Sequence, residues 1–140
     1  MADNSLESQG VVIYVGTADS PSAYNAVGEI TGFNGPGGSA SVIDATTLAD
    51  TAKIKKMGLP DEGQFTLDVY LDNTDTNGQV ALRTARTNRT LKYFKITMTD
   101  SPMSVARFTG YVLGFAIQGS VDNLVKASIT IEVTGAVTWS

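Results

Sequence analysis

Towards the end of the chain, Val125, Ala127, Ile129, Ile131 and Val133 alternate without a break with Lys126, Ser128, Thr130, Glu132 and Thr134. Successive side chains of a strand point to opposite faces, so this period of two predicts a long strand with one face on a core and the other on water or a polar partner. The same alternation returns at Phe65, Leu67, Val69 and Leu71, and at Phe94, Ile96 and Met98. A chain patterned in this way is expected to be mainly β.

Further strands are expected at Val11–Val15 and from about Ala26 to Phe33. Residues 105–117 are apolar on both faces in their middle (Tyr111, Val112, Leu113, Phe115, Ala116), which predicts a strand buried on both sides or switching sheets at a bend near Gly110 and Gly114. Asp19, Ser20 and Pro21 predict a turn, Asn34 to Gly38 a loop, and Gly119 to Asn123 the turn of the final hairpin. One helix is expected over Val80–Asn88, with Asp75 as its N-cap and Asn88 ending it. Residues 44–62 show neither period and read as one long irregular loop, a feature that is usually functional or disordered. Residues 1–10 are polar and read as a flexible arm. With no internal repeat and no second composition, residues 1–140 are expected to form a single domain.

Composition excludes several classes of function. The chain has no cysteine and no histidine, which removes disulfides, thiolate nucleophiles, the usual structural zinc and the commonest general base. Its net charge of −4 argues against a protein that holds nucleic acid by neutralising phosphates. The longest nearly apolar run, Gly110 to Ile117, is too short to span a bilayer, and the amino terminus lacks the basic and apolar regions of a secretory leader. Asn73 to Gly78 imitates the start of a calcium loop, but the twelfth position is Thr84 and no carboxylate closes the sphere, so a helix-capping turn is expected instead. The Gly35–Gly38 loop lacks the Lys-Ser/Thr ending of a phosphate cradle. Asp61 with Glu62, and Asp72 with Asp75, are poorly spaced for paired acid and base work. No enzyme activity, metal or cofactor is expected.

The phrase from Val125 to Gly135, closing on Val137-Thr138-Trp139, resembles the end of the major tail tube domain of long-tailed bacteriophages. Upstream, Ile43-Asp44-Ala45-Thr46-Thr47-Leu48 is similar to an Ile-Asp-x-Thr-Thr-Leu phrase of that family. The Lys-rich stretch Lys53-Ile54-Lys55-Lys56-Met57-Gly58-Leu59, followed by the acidic turn Asp61-Glu62 and a strand, occurs in the same order. The similarity runs from about Gly28 to Trp139. It implies a β-sandwich or barrel-type tail tube fold with one flanking helix, in rings, usually of six, whose inner sheets join into a continuous barrel. The rings stack into the tube that delivers the genome. It further implies residence in the virion tail, with the host cytoplasm before assembly, and as partners other copies of the chain, a tape-measure protein, the tail terminator, distal tail proteins and passing DNA. Some relatives carry an extra immunoglobulin-like domain after this point, so an undecorated tube is implied.

Within that frame the 44–62 segment is the expected inter-ring contact, through Asp44, Thr47, Leu48, Lys53, Ile54, Lys55, Lys56 and Met57. Arg83, Arg86, Arg89, Lys92 and Lys95 hold five of the ten positive charges. They read as a nucleic-acid patch, a solvated helix face, or a contact to acidic residues of a neighbouring subunit, the last being assigned to Arg83, Arg86 and Arg89. DNA must pass without adhering, so the lumen is expected to be neutral or mildly acidic, lined by Thr66, Asp68, Thr130 and Glu132, with Lys126 as a paired exception. Two alternatives remain. A secretion-system tube protein shares the ring logic, and a carbohydrate-binding sandwich shares the strand pattern but would favour exposed aromatic platforms where this chain has a single Trp.

Overall fold

The computed structural model describes residues 9–18, 23–100 and 103–140. The turn expected at Asp19–Pro21 and all but the last two residues of the expected amino-terminal arm lie outside them. The chain forms β1 (Val12–Gly16), β2 (Tyr24–Ala26), β3 (Ile30–Asn34), β4 (Ser39–Asp44), β5 (Lys55–Asp61), β6 (Gln64–Tyr70), α1 (Gln79–Asn88), β7 (Lys92–Thr97), β8 (Val105–Gln118) and β9 (Lys126–Trp139). Seven strands make one antiparallel sheet in the order β2-β1-β7-β8-β9-β6-β3, and β4 and β5 form a separate ribbon.

The sheet folds over on itself because β8 and β9, each of 14 residues, serve two layers. The first half of β8 pairs with β7, whereas the first half of β9 pairs with β6. One layer is therefore β3, β6, β9 up to Glu132 and β8 from Tyr111. The other is β2, β1, β7, β8 up to Gly110 and β9 from Val133. The register of β8 on β9 shifts twice, between Arg107 and Thr109 and between Val112 and Gly114. The second shift leaves Leu113 as an extra residue, and bulges of this kind let a strand turn from one layer into the next. The bend expected near the two glycines is therefore present.

Phe65 on β6 and Phe108 on β8 meet edge to face with ring centroids 5.3 Å apart, although β9 lies between their strands. Flat strands two places apart are separated by about 9–10 Å, so this contact requires the layers to face each other. Phe94 stacks on Phe108 and Phe33 tilts against Phe65, extending the aromatic chain through a core that includes Ile13, Leu67, Ile96, Ile129 and Ile131. From α1, Leu82 and Ala85 enter the same core.

Several expectations require correction. Val125 does not belong to the buried row: it precedes β9, is 45% exposed, and uses its carbonyl to accept the Leu71 N–H. The strand expected over Ala26–Phe33 is two strands at opposite edges of the sheet, because the chain crosses between layers at Gly28 and Glu29, the latter at φ +60°. Tyr111, Leu113 and Ala116 are exposed, since among the described residues this half of β8 has β9 on one side only and no layer over its outer face.

Segment 44–62 is also more regular than expected. Asp44 ends β4 and 55–61 form β5, the second arm of an extended ribbon, while the ten residues 45–54 stay irregular as its turn. At its base Gly38 lies directly on the Asp61 carbonyl, where any Cβ would collide with backbone. The Gly35–Gly38 loop is thus a place of close backbone packing at Gly35 and Gly38.

Candidate functional site

The phrase Ile43 to Leu48 is turn chemistry. The Asp44 carboxylate accepts the Thr46 N–H at 3.0 Å, and the Thr46 hydroxyl accepts the Ile54 N–H at 2.8 Å across the ribbon. The Asp50 carboxylate accepts both the N–H and the hydroxyl of Thr47. These local bonds hold Leu48 at the tip, fully exposed. Lys55 pairs in register with Asp44 and Lys56 with Ile43. Val42, Ile43, Ile54, Met57 and Leu59 are exposed as well, Leu59 to 93%. All eight residues assigned to inter-ring contact therefore stand on the exposed arms and tip of one ribbon. An isolated two-stranded hairpin is marginal in water, so apolar side chains on its faces call for a partner surface.

Thr66, Asp68, Thr130 and Glu132 share a single face. Thr66 pairs with Thr130, Gln64 with Glu132 and Asp68 with Ser128, which puts all four on the side of β6 and β9 opposite the buried Phe65, Leu67, Ile129 and Ile131. β3 and the outer half of β8 extend this polar face to either side. Both are edges: β3 ends the sheet order, and β8 beyond Gly110 has no β7 beside it.

The helix lies on the core side of this layer, away from that face. Its clasp is Gln79, a residue whose role sequence reasoning missed. The side chain is 1% exposed and fully bonded: Oε1 accepts the Asp72 N–H, while Nε2 donates to the carbonyls of Gly28 and Tyr70, each at 2.9 Å. Asp75 stands where a cap was expected, although the cap position itself is Gly78. Its carboxylate accepts the N–H groups of Gln79 and, from the crossing segment, Gly28. A Cβ at Gly78 would overlap that carboxylate. At the other end, Arg89 and not Asn88 takes the left-handed conformation, at φ +56°.

The arginines brace the helix against β8. Arg86 Nε donates to the Leu113 carbonyl at the bulge, at 3.0 Å, and Arg83 donates to Asn73 and lies 5.9 Å from the Phe115 ring centre. Lys95 belongs elsewhere, on β7 between the rings of Tyr14 and Tyr24 at 4.4 and 4.7 Å. The basic run is thus divided between helix and second layer and does not form one nucleic-acid patch.

Three carboxyls are held below the usual carboxylate range by hydrogen bonds: Asp44 by Thr46, Asp72 by Thr74 and Asp100 by Ser104. Each organises a turn. Among the described residues, no group of three or more acids stands ready to hold a metal ion, and no helix is long and apolar enough to cross a membrane.

The overall fold is similar to that of chains in solved tail structures. The tail of an empty gene transfer agent particle has it, with a TM-score of 0.74 at 11% identity over 97% of this chain and 99% of that one. So do the SPP1 tail tube, with a TM-score of 0.72 at 14% identity over 97% and 79%, and the sheath/tube terminator of the PVC extracellular contractile injection system, with 0.74 at 11% over 100% and 99%. The chain belongs to the lambda-like phage tail tube family, whose model matches residues 4–105. That match contains the Ile43–Leu48 and Lys53–Leu59 phrases and stops before β9. No curated protein sequence matches the chain. The protein is a structural component of a tail tube.

Proposed function

We propose that the chain closes into rings, of six subunits, that stack through the 39–61 ribbon into the conduit for DNA. The observation that carries this reading is the pair of open edges on the polar layer. Unpaired strands promote uncontrolled association unless they are covered, and lateral closure of β3 on the outer half of β8 of a neighbour covers both. The C6 symmetry of the gene transfer agent tail supports six as the number. Closure makes the face of Thr66, Asp68, Thr130 and Glu132 the inner wall and leaves Arg83, Arg86 and Arg89 outside, where donors not used within the subunit meet acids of neighbours. The wall then carries few cations, which suits DNA that must move without adhering. A tape-measure protein occupies the lumen before DNA does, the terminator and distal proteins cap the ends, and subunits wait in the host cytoplasm. The whole of 1–140 acts as one domain with no catalytic role. Electron microscopy of concentrated protein tests the reading: stacked rings are expected, and a protein that stays monomeric at every concentration contradicts it.

A further inference from the structure

Strand register collects on one face tyrosines that the sequence scatters. On β1, β7 and β8 the residues that alternate with the buried Ile13, Val15, Phe94, Ile96 and Phe108 point out of the second layer, away from the core. In one row across that face, Gly16 pairs with both Tyr24 and Tyr93, Tyr93 with Thr109, and Thr109 with Thr134. In the next, Tyr14 pairs with Lys95, Lys95 with Arg107, and Arg107 with Thr138. Three of the five tyrosines of the chain therefore share a face. Gly16 makes room among them, for a Cβ there would meet the Tyr24 ring at 3.0 Å. Where the rows reach β9, Arg107 and Thr109 are two residues apart but their partners Thr138 and Thr134 are four apart, with Gly135 between them at φ +81°. This bulge borders a hollow of about 150 Å³ that has Tyr24, Tyr93, Thr109, Thr134 and Thr138 among its walls.

The charge of the face is as distinctive as its rings. The Lys95 ammonium lies 4.4 and 4.7 Å from the ring centres of Tyr14 and Tyr24, and among the described residues it has no hydrogen-bond acceptor. An ammonium carries three N–H donors, so one held against rings alone keeps them for an acceptor from outside. Neither row contains an acid, although the chain has 14 acids to 10 bases. Arg107, directly across from Lys95, donates to Ser140 Oγ at 3.2 Å, which leaves Lys95 as the cation offered to a ligand.

We infer that this face binds an acidic saccharide, with a sugar ring against Tyr93 and Tyr24 in the hollow and its carboxylate on Lys95. A pyranose has a C–H face that packs on an aromatic ring and hydroxyls at its rim that need partners, which the threonines of the hollow supply. The single Trp of the chain made an aromatic platform look absent; the register builds one from tyrosines. A nucleic-acid strand fits less well, because its phosphates need a track of cations and these rows hold two. In the ring proposed above this face is the outside of the tube, so the saccharide belongs to a polysaccharide around the particle, but binding goes beyond the ring reading and does not depend on it.

Titration calorimetry of the protein with tri-galacturonate, maltotriose and a thymidine hexanucleotide tests the inference. Tri-galacturonate should bind, and neutral maltotriose should bind about tenfold more weakly, the worth of one charge-assisted hydrogen bond. Lys95→Gln should lower the affinity for tri-galacturonate to that for maltotriose and leave the latter unchanged, a split that a merely structural lysine would not give. Tyr93→Ala should remove both. No binding of tri-galacturonate by the parent overturns the inference, as does equal affinity for the two trisaccharides or tighter binding of the hexanucleotide. These three results come from the parent and hold whether or not a variant folds. Tubes without saccharide binding leave the ring reading standing; saccharide binding without tubes leaves this inference standing.

Discussion

At the scale of single residues, the core and the helix clasp make different demands. Ile129 is fully buried and Thr130, its neighbour, is on the polar face. Ile129→Asp should prevent folding, since an unpaired buried carboxylate costs several kcal/mol, on the order of a small domain's stability. Thr130→Asp should leave a cooperative melting transition; equal loss of structure in both variants would show that the register is wrong. Gln79→Ala strands the Asp72 N–H and the Gly28 and Tyr70 carbonyls together, and at about 1–3 kcal/mol for an unsatisfied buried group a loss of roughly 2–4 kcal/mol in denaturant unfolding is expected. A loss below about 0.5 kcal/mol would mean that water replaces the amide. Asp72 adds a pH signature. The Thr74 hydroxyl and N–H hold its carboxyl below the usual range. The turn's contribution to stability is therefore full above the ordinary carboxylate value of about 4 and declines as pH falls from there through the lowered value. An NMR titration of Asp72 should show that lowered midpoint, and Thr74→Val should raise it; an ordinary midpoint in the parent would contradict the bonding.

At the scale of elements, the ribbon should be separable from the fold. Leu48, Ile54 and Met57 are exposed and absent from the core cluster. Replacing all three with Ser should leave the thermal midpoint nearly unchanged and abolish tubes, whereas a large fall would show that the ribbon packs on its own subunit. The contrast between ribbon and strands also explains what could be read in the sequence. β6, β7 and most of β9 announce themselves by alternation, because each has one buried and one polar face. β4 and β5 have no buried face, so burial impressed no period on them: β5 reads as part of the 44–62 loop, and β4 gives no signal of a strand. β8 was half legible: of the two readings its apolar middle left open, the bend between layers is the one present, whereas burial on both faces is not, since Tyr111 and Leu113 are exposed. Gln79 left no signal at all, since a glutamine in a helix is ordinary until the Gly28 crossing brings a carbonyl to it. The lumen set was legible as a polar face, because Thr66, Asp68, Thr130 and Glu132 share alternation parity across paired strands. Which way that face turns depends on the ring, and no single chain encodes it locally.

At the scale of the whole molecule, two long shared strands and open edges on one layer make a subunit whose edges the proposed ring would cover with copies of itself. In the proposed ring the acid surplus of the chain falls partly, through Asp68 and Glu132, on the layer that closure would turn inward, with the arginines beyond the core. At physiological salt, screening acts over about 8 Å, so only charges near the wall influence passing DNA. Asp68→Lys with Glu132→Lys should slow DNA ejection from assembled particles, increasingly so at low salt; an unchanged ejection rate would remove charge from the role of the wall. The most direct measurement is a cryo-electron microscopy map of the tube formed by the protein. The expected map has Thr66, Asp68, Thr130 and Glu132 on the inner surface, β3 of each subunit beside the outer half of β8 of the next, and α1 outside. A map with Arg83, Arg86 and Arg89 facing the lumen would contradict it.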